Sequence, residues 1–246
     1  MTLPTIVGRD EWRAARIAFL AREKEFTRAR DALNAARRAL PMVEIDKEYL
    51  FETPHGRATL HDLFERRRQL IVYHFMFHRD RLEGCPGCSH IADNSPYLAH
   101  MHARDTTFVL VSRAPLAEIE PFKRRMGWTV PWYSSFDGDF NYDFHVTLDE
   151  SRAPVEYNYT SRDELVRQGH YSPDGPRSVE LPGVSVFLRD DDRVFHTYSA
   201  YARGLDLLLN TYNWLDLTPF GRGEGWDGMP DLEGKGMGWL RHHDRY

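Results

Sequence analysis

The sequence predicts a mixed α/β domain built on a parallel βαβ unit and preceded by one long helix. Three observations carry this expectation. Arg9 to Leu40 contains no glycine or proline and is rich in Ala, Arg and Glu, the composition of a helix. "QLIVYHFMF" and "TTFVLVS" are continuous apolar, β-branched and aromatic runs of the kind found in strands buried on both faces. A helical pattern follows each of them, and strand, helix, strand, helix in that order implies parallel pairing with helical crossovers. A chain of 246 residues can bury such a core without disulfide staples.

The first helix ends where Pro41 stops it. Along it Trp12, Phe19, Phe26, Leu33 and Leu40 recur every seven residues, with Ala15, Ala29 and Ala36 between them and Arg22 breaking the series. This makes one narrow apolar seam. Two arrangements can cover it: docking on the chain's own domain, or a homodimer through this helix. Short β-like pieces in "MVEIDKEYLFET" and a helical turn in "TLHDLFERRR" come next.

After the first buried strand a helix is expected from Ser89 to about Arg104. "PLAEIEPFKRRMG" is a further helix, with Pro115 near its first turn and Gly127 near its end. Asp137 to Arg177 is polar and irregular, an insertion holding a strand or two. "GVSVFL" and "RVFHTYS", joined by "RDDD", form a hairpin, and a closing helix runs from Tyr201 to about Leu215. The chain thus divides into an arm over 1–41, a domain over 42–217 and an irregular tail over 218–246. The Gly-x-Gly patterns of the tail follow no strand, so they lack the context of a phosphate-binding loop.

Bulk composition narrows the function classes. The N-terminus has no basic segment leading into an apolar one, and no run of about 18 apolar residues occurs, so a cytoplasmic protein with no membrane partner is expected. A net charge of −5 leaves no electrostatic footprint for nucleic acid. The aromatic clusters near 131–144 and 198–214 are read as core.

The chemistry concentrates in "HRDRLEGCPGCSHIADN", which holds both cysteines of the chain. In a reducing compartment a paired Cys-x-x-Cys points to reversible redox chemistry, to metal or to neither. A cysteine where a helix begins meets unsatisfied N–H groups and the positive end of the helix dipole, which favour thiolate. Cys85 is therefore the expected attacking sulfur. Cys88, three residues on, resolves the mixed disulfide. A protein or small-molecule disulfide is the expected substrate, and no cofactor beyond the dithiol is needed.

Two other readings stay open. In a zinc or copper site Cys85 and Cys88 would be joined by His74 and His78, which share strand parity, with His90, His145, His196, His242 and His243 as further candidates. No second Cys-x-x-Cys supports it. In a redox-inactive, partner-binding module the thiols go unused, and Glu83, an anion two residues before Cys85, opposes a thiolate there.

"LIVYHFMF", "GCPGCSHIAD", "TTFVLVSRAPLAEIEPFKRRMGW" and "FNYDFHV" together resemble a thioredoxin-like domain of the peroxiredoxin-related type. More closely, with "RVFHTYSAYARGLDLLLNTYNWLDLTP" and "GWLRHHDRY", nearly the whole chain resembles the bacterial family DUF899. The resemblance implies a thioredoxin-like fold in which Pro182, five residues before Phe187, takes the place of the cis-proline that shapes the substrate groove. A cis Leu181–Pro182 bond beside the cysteines is the resulting expectation. The peroxiredoxin pattern Pro-x-x-x-Thr-x-x-Cys is met in spacing only, with His78 at the proline position and Leu82 at the threonine position. Leucine offers no hydroxyl to orient a peroxide, and the supporting arginine has no counterpart near Gly183.

Overall fold

A computed structural model describes residues 3–223 and 239–246. Helix α1 (Arg9–Arg38) starts after Gly8, carries Asp10 and Glu11 in its first turn and Arg37 and Arg38 in its last, and so matches the helix dipole at both ends. No side chain along it is buried. Among the described residues the chain's own domain does not cover the seam. At its base the guanidinium of Arg37 sits 5.0 Å from the Tyr198 ring centroid.

The chain then forms β1 (Val43–Glu44), β2 (Leu50–Thr53), β3 (Gly56–Thr59), β4 (Gln69–His74), the small hairpin β5 (Phe77–His78) and β6 (Glu83–Gly84), and helix α2 (Pro86–Asp93). It continues through α3 (Leu98–His102), β7 (Thr106–Ser112), α4 (Leu116–Arg125) and β8 (Trp132–Ser134). The segment after this holds α5 (Phe140–Asp143), β9 (Thr147–Leu148), β10 (Glu156–Tyr157), β11 (Thr160–Ser161), α6 (Arg162–Arg167) and β12 (Val179–Glu180). Strands β13 (Gly183–Asp190) and β14 (Arg193–Tyr201) and helix α7 (Asn210–Leu215) follow.

Eight strands form the central sheet in the order β1-β14-β13-β4-β7-β8-β2-β3. β4, β7 and β8 run parallel, with Ile71 opposite Phe108 and Leu110 opposite Trp132. β13 lies antiparallel to β4 and returns as the hairpin to β14. Parallel strands joined by helical crossovers, closed by an antiparallel hairpin, give the thioredoxin-like arrangement.

Period-two alternation divides the core between the faces. Tyr73, Phe75, Phe108, Leu110 and Trp132 pack with Cys88, Ile119, Phe122 and Tyr212 on one face. Leu70, Val72, Val109 and Val111 pack with Phe51, Phe64, Phe140, Phe144 and Phe187 on the other. All seven residues of β7 are buried, as the apolar run required.

Four expectations need correction. The run "QLIVYHFMF" is not one strand: it ends at His74, and Phe77–His78 pairs instead with Glu83–Gly84, which turns the chain back so that the cysteines open a helix. That helix begins at Pro86 and stops at Asp93, because Pro96 has no N–H to give and its ring crowds the preceding turn; α3 is a separate piece. The closing helix is a 3₁₀ segment over Ala202–Leu208 followed by α7, since β14 extends to Tyr201. Finally, no cis peptide bond occurs among the described residues, so Leu181–Pro182 is trans. Here Leu181 N–H donates to Val146 O, and the chain runs extended from β12 straight into β13.

The insertion is more ordered than its polarity suggested. Leu148, Val155, Leu165 and Tyr171 give it a small core of its own. Most of the glycine-rich tail, 224–238, lies outside the described residues, so the absence of a phosphate loop there stays an expectation. The final residues pack back on the domain through buried Leu240 and His242.

Candidate active site

The hairpin β5–β6 delivers Cys85 to the N-cap of α2, where its backbone is extended and Pro86 occupies the first helical position. Proline suits that place because its missing N–H would have no partner there. Gly84 is needed just before it: a Cβ at this residue would lie 2.7 Å from ring carbons of Phe75 and Phe122. The close approach of those two rings fixes the backbone that leads into the dithiol.

Met76 ties the two cysteines together. Its carbonyl accepts from Cys85 N–H at 3.0 Å, and its own N–H donates to Cys88 Sγ at 3.3 Å. Both cysteines are free thiols; Cys88 is buried, while Cys85 is partly exposed. The Cys85 carbonyl accepts from Ser89 N–H at 2.8 Å and from Ser89 Oγ at 2.9 Å, closing the first turn.

The two thiols have opposite acidities. Cys85 is held well below the usual thiol range, chiefly because the Cys88 thiol donates to it; burial works against this, and His78 adds a further donor. No formed cap hydrogen bond joins the Cys85 sulfur to the helix, but the N–H groups of Gly87 and Cys88 act on it as favourable dipoles. Cys88 is pushed well above the thiol range by burial and by the neighbouring Cys85 anion. A thiolate and a protonated thiol in one helical turn are the starting state for stepwise exchange.

A layer of tyrosines backs the buried thiol. The Tyr73 hydroxyl is buried with no nitrogen or oxygen partner, the Cys88 sulfur lies beside it, and burial raises its pKa far above the phenol value. Tyr157 donates to Pro182 O at 2.8 Å and accepts from Ala202 N–H at 3.1 Å. Its ring packs on Tyr201 at 5.4 Å. Pro182 is thus held by Tyr157 with its peptide bond trans, and Gly183 opposite His74 places it at the end of β4 from which the dithiol loop departs.

Sequence reasoning missed Met76, Tyr73 and Tyr157. Met76 acts through backbone atoms, to which a residue type gives no clue. Tyr73 was legible in one respect: it has the parity of the core face on the strand preceding the cysteines.

Glu83 does not oppose the Cys85 thiolate as an isolated anion. Arg125 Nη1 donates to it at 2.8 Å and Arg245 also pairs with it. Arg125 in turn holds Asp244 at 2.8 Å, and His242 Nε2 bonds Gly84 O at 2.8 Å. The C-terminal residues thus clamp the hairpin that carries the cysteines.

The histidines of the metal reading are not brought together. His78 adjoins Cys85, but His74 lies across the sheet, its ring 5.4 Å from Phe140 and its Nε2 2.9 Å from Ser185 Oγ. The parity argument failed because the strand ends at His74. His196 joins His74 through Ser199 and Ser185, His90 packs on Tyr212, and His243 pairs with Asp93. His145, at φ +54, closes the turn after α5 through its N–H to Tyr142 O. Among the described residues no three His, Cys, Asp or Glu side chains form a group able to hold a metal ion.

The sheet and the helix-capping dithiol define a thioredoxin-like α/β protein. The family described as "bacterial protein of unknown function (DUF899)" matches residues 1–246, and the chain belongs to it. No curated protein matches. Among solved structures, one of Xanthomonas campestris peroxiredoxin Q is 13% identical, covers 72% of this chain and 98% of its own, and has a TM-score of 0.46. Peroxidoxin BcpB from Mycobacterium tuberculosis is 15% identical over 70% of this chain and 95% of its own, at 0.45. An uncharacterised thioredoxin-like protein from Porphyromonas gingivalis is 16% identical over 49% and 86%, at 0.32. Similarity this distant carries no chemistry with it. No helix among the described residues is long and apolar enough to cross a membrane.

Proposed function

We propose that this protein is a thiol–disulfide oxidoreductase in which Cys85 attacks and Cys88 resolves. The opposite acidities of the two thiols within one helical turn support this reading above any other feature. The Cys85 thiolate attacks one sulfur of a substrate disulfide, forming a mixed disulfide and releasing the other sulfur as thiolate. Cys88 then gives up its proton to solvent or to that thiolate and attacks Cys85 Sγ. The Cys85–Cys88 disulfide forms and the second substrate thiol leaves. Two electrons have passed from the dithiol to the substrate, and an external dithiol reductant restores the starting state.

Peroxide is a poorer fit as substrate. Leu82, at the position where a peroxiredoxin has threonine, sits at φ +52 in the β5–β6 turn, more than half exposed, and carries no hydroxyl. The protein should therefore exchange with a small aromatic disulfide and consume hydrogen peroxide no faster than an ordinary low-pKa thiol. Stopped-flow measurement of both reactions tests this. Cys85→Ser should abolish exchange; saturable, rapid peroxide consumption by the wild type would make the protein a peroxidase instead.

A further inference from the structure

Four large apolar side chains of α1, Trp12, Phe19, Phe26 and Leu33, and Leu40 just past its end are each more than half exposed. Their seven-residue repeat stays in register with a neighbour only if that neighbour is a helix of the same period, supercoiled with it. We propose that the neighbour is α1 of a second copy of this chain, running antiparallel, and that each copy's first residues fill a cavity in the other.

Direction follows from side-chain size. In a parallel pair the large residues would meet one another, the alanines would meet one another, and Arg22 would face the partner's Arg22. Wide and narrow layers would alternate around a like-charge contact. In the antiparallel pair Trp12 lies against the partner's Ala36, Phe19 against the partner's Ala29 and Leu33 against the partner's Ala15. Every layer but the central one then joins a large residue to a small one. Arg22 meets the partner's Phe26, a cation over an aromatic face, as it already lies 5.8 Å from the Phe19 ring within its own helix. A parallel pair would gain ion pairs between Glu11 and Arg16 and between Glu25 and Arg30 across the seam. The antiparallel pair sets Arg16 near the partner's Arg30 and Glu23 near the partner's Glu23, but exposed charge contacts of either sign contribute little beside the packing of the layers.

The antiparallel register sets Leu40 beside the partner's Gly8. Residues 3–7 of the partner then continue past Leu40 towards Pro41, Met42 and Val43. There a largely apolar cavity of about 550 Å³ opens, walled further by Tyr159, His196 and Tyr198. The arriving segment carries Leu3, Ile6 and Val7, and Ile6 is 93% exposed in the single chain. An apolar cavity and an exposed apolar segment are thus brought together in the register that overlaps the two seams over the full length of α1.

Sedimentation velocity of the full chain at micromolar concentration should give a dimer. Phe19→Glu/Phe26→Glu should give a monomer with unchanged circular dichroism and unchanged disulfide exchange, because both side chains are exposed in the single chain. Ile6→Glu, outside the helix, should weaken the dimer at least tenfold. In a Cys85→Ser/Cys88→Ser background, adding Phe19→Cys and Ala29→Cys together should crosslink the copies under mild oxidation, and Ala29→Cys alone should not. A wild type that sediments as a monomer overturns the proposal; self-crosslinking of Ala29→Cys alone overturns the antiparallel register and with it the filling of the cavity.

Discussion

The backbone N–H of Met76 donates to Cys88 Sγ at 3.3 Å, so a residue in the short link between β4 and β5 holds the sulfur of the buried thiol. The same residue's carbonyl holds Cys85 at 3.0 Å. Only backbone atoms are involved, and the spacing of the dithiol is therefore set by where β4 ends and not by the Met76 side chain.

The first consequence is a split in reactivity. Cys85 should be alkylated by iodoacetamide with an apparent pKa well below the free-thiol value of about 8.5, while Cys88 should react only when the protein unfolds or its partner thiol is removed. Rates followed from pH 4 to 10 with mass-spectrometric assignment check this. Because the folded pKa of Cys85 is depressed, its contribution to the stability of the reduced protein is present above the unfolded value and fades as pH falls through the folded one. Cys88 has the opposite sign, so the two partly offset each other above neutrality.

Tyr73 acts on the second step. Its hydroxyl favours the Cys88 anion, which forms only when Cys88 attacks. Tyr73→Phe should leave Cys85 alkylation nearly unchanged and slow resolution of the mixed disulfide about three- to tenfold, the size of one lost hydrogen bond. A single-turnover assay with a chromogenic disulfide separates the two rates.

Gly84 tests the packing that carries the site. Alanine there would press its Cβ into the rings of Phe75 and Phe122. Urea unfolding of Gly84→Ala should show a loss of about 1–3 kcal/mol, the usual penalty for overpacking a tight core. Exchange should also slow, because the displaced backbone leads directly into Cys85.

His74 predicts acid sensitivity. Burial lowers its pKa to about 3, and its Nδ1 has no partner among the described residues. Below about pH 6.5 the unfolded chain binds a proton that the folded protein refuses, so stability should fall by about 1.4 kcal/mol per unit from there towards pH 3. His196, shifted in the same direction by burial, adds to this slope. His74→Gln should be less stable at pH 7 and lose less on acidification, measured by denaturant midpoints across that range.

Much of this site could be read from residue types. The βαβ order, the placement of the dithiol where a helix opens and the hairpin from Gly183 were legible because strand composition and Cys-x-x-Cys spacing are local signals. Three features were not. The strand end at His74 is decided by pairing of Phe77–His78 with Glu83–Gly84, a contact the apolar run conceals. The ion pairs of Glu83 join residues 42 and 162 positions away. The trans Leu181–Pro182 bond follows directly on β12, which pairs with β9 of the insertion, and both strands are only two residues long and leave little periodic trace.

The central claim is that the two sulfurs exchange electrons with each other. Mild oxidation of the native protein, followed by alkylation and intact mass measurement, decides it. The account predicts complete loss of both alkylatable thiols within one chain, through a Cys85–Cys88 disulfide that dithiothreitol reverses, and a mixed disulfide trapped on Cys85 in Cys88→Ser. Two thiols that remain free after oxidation would contradict it.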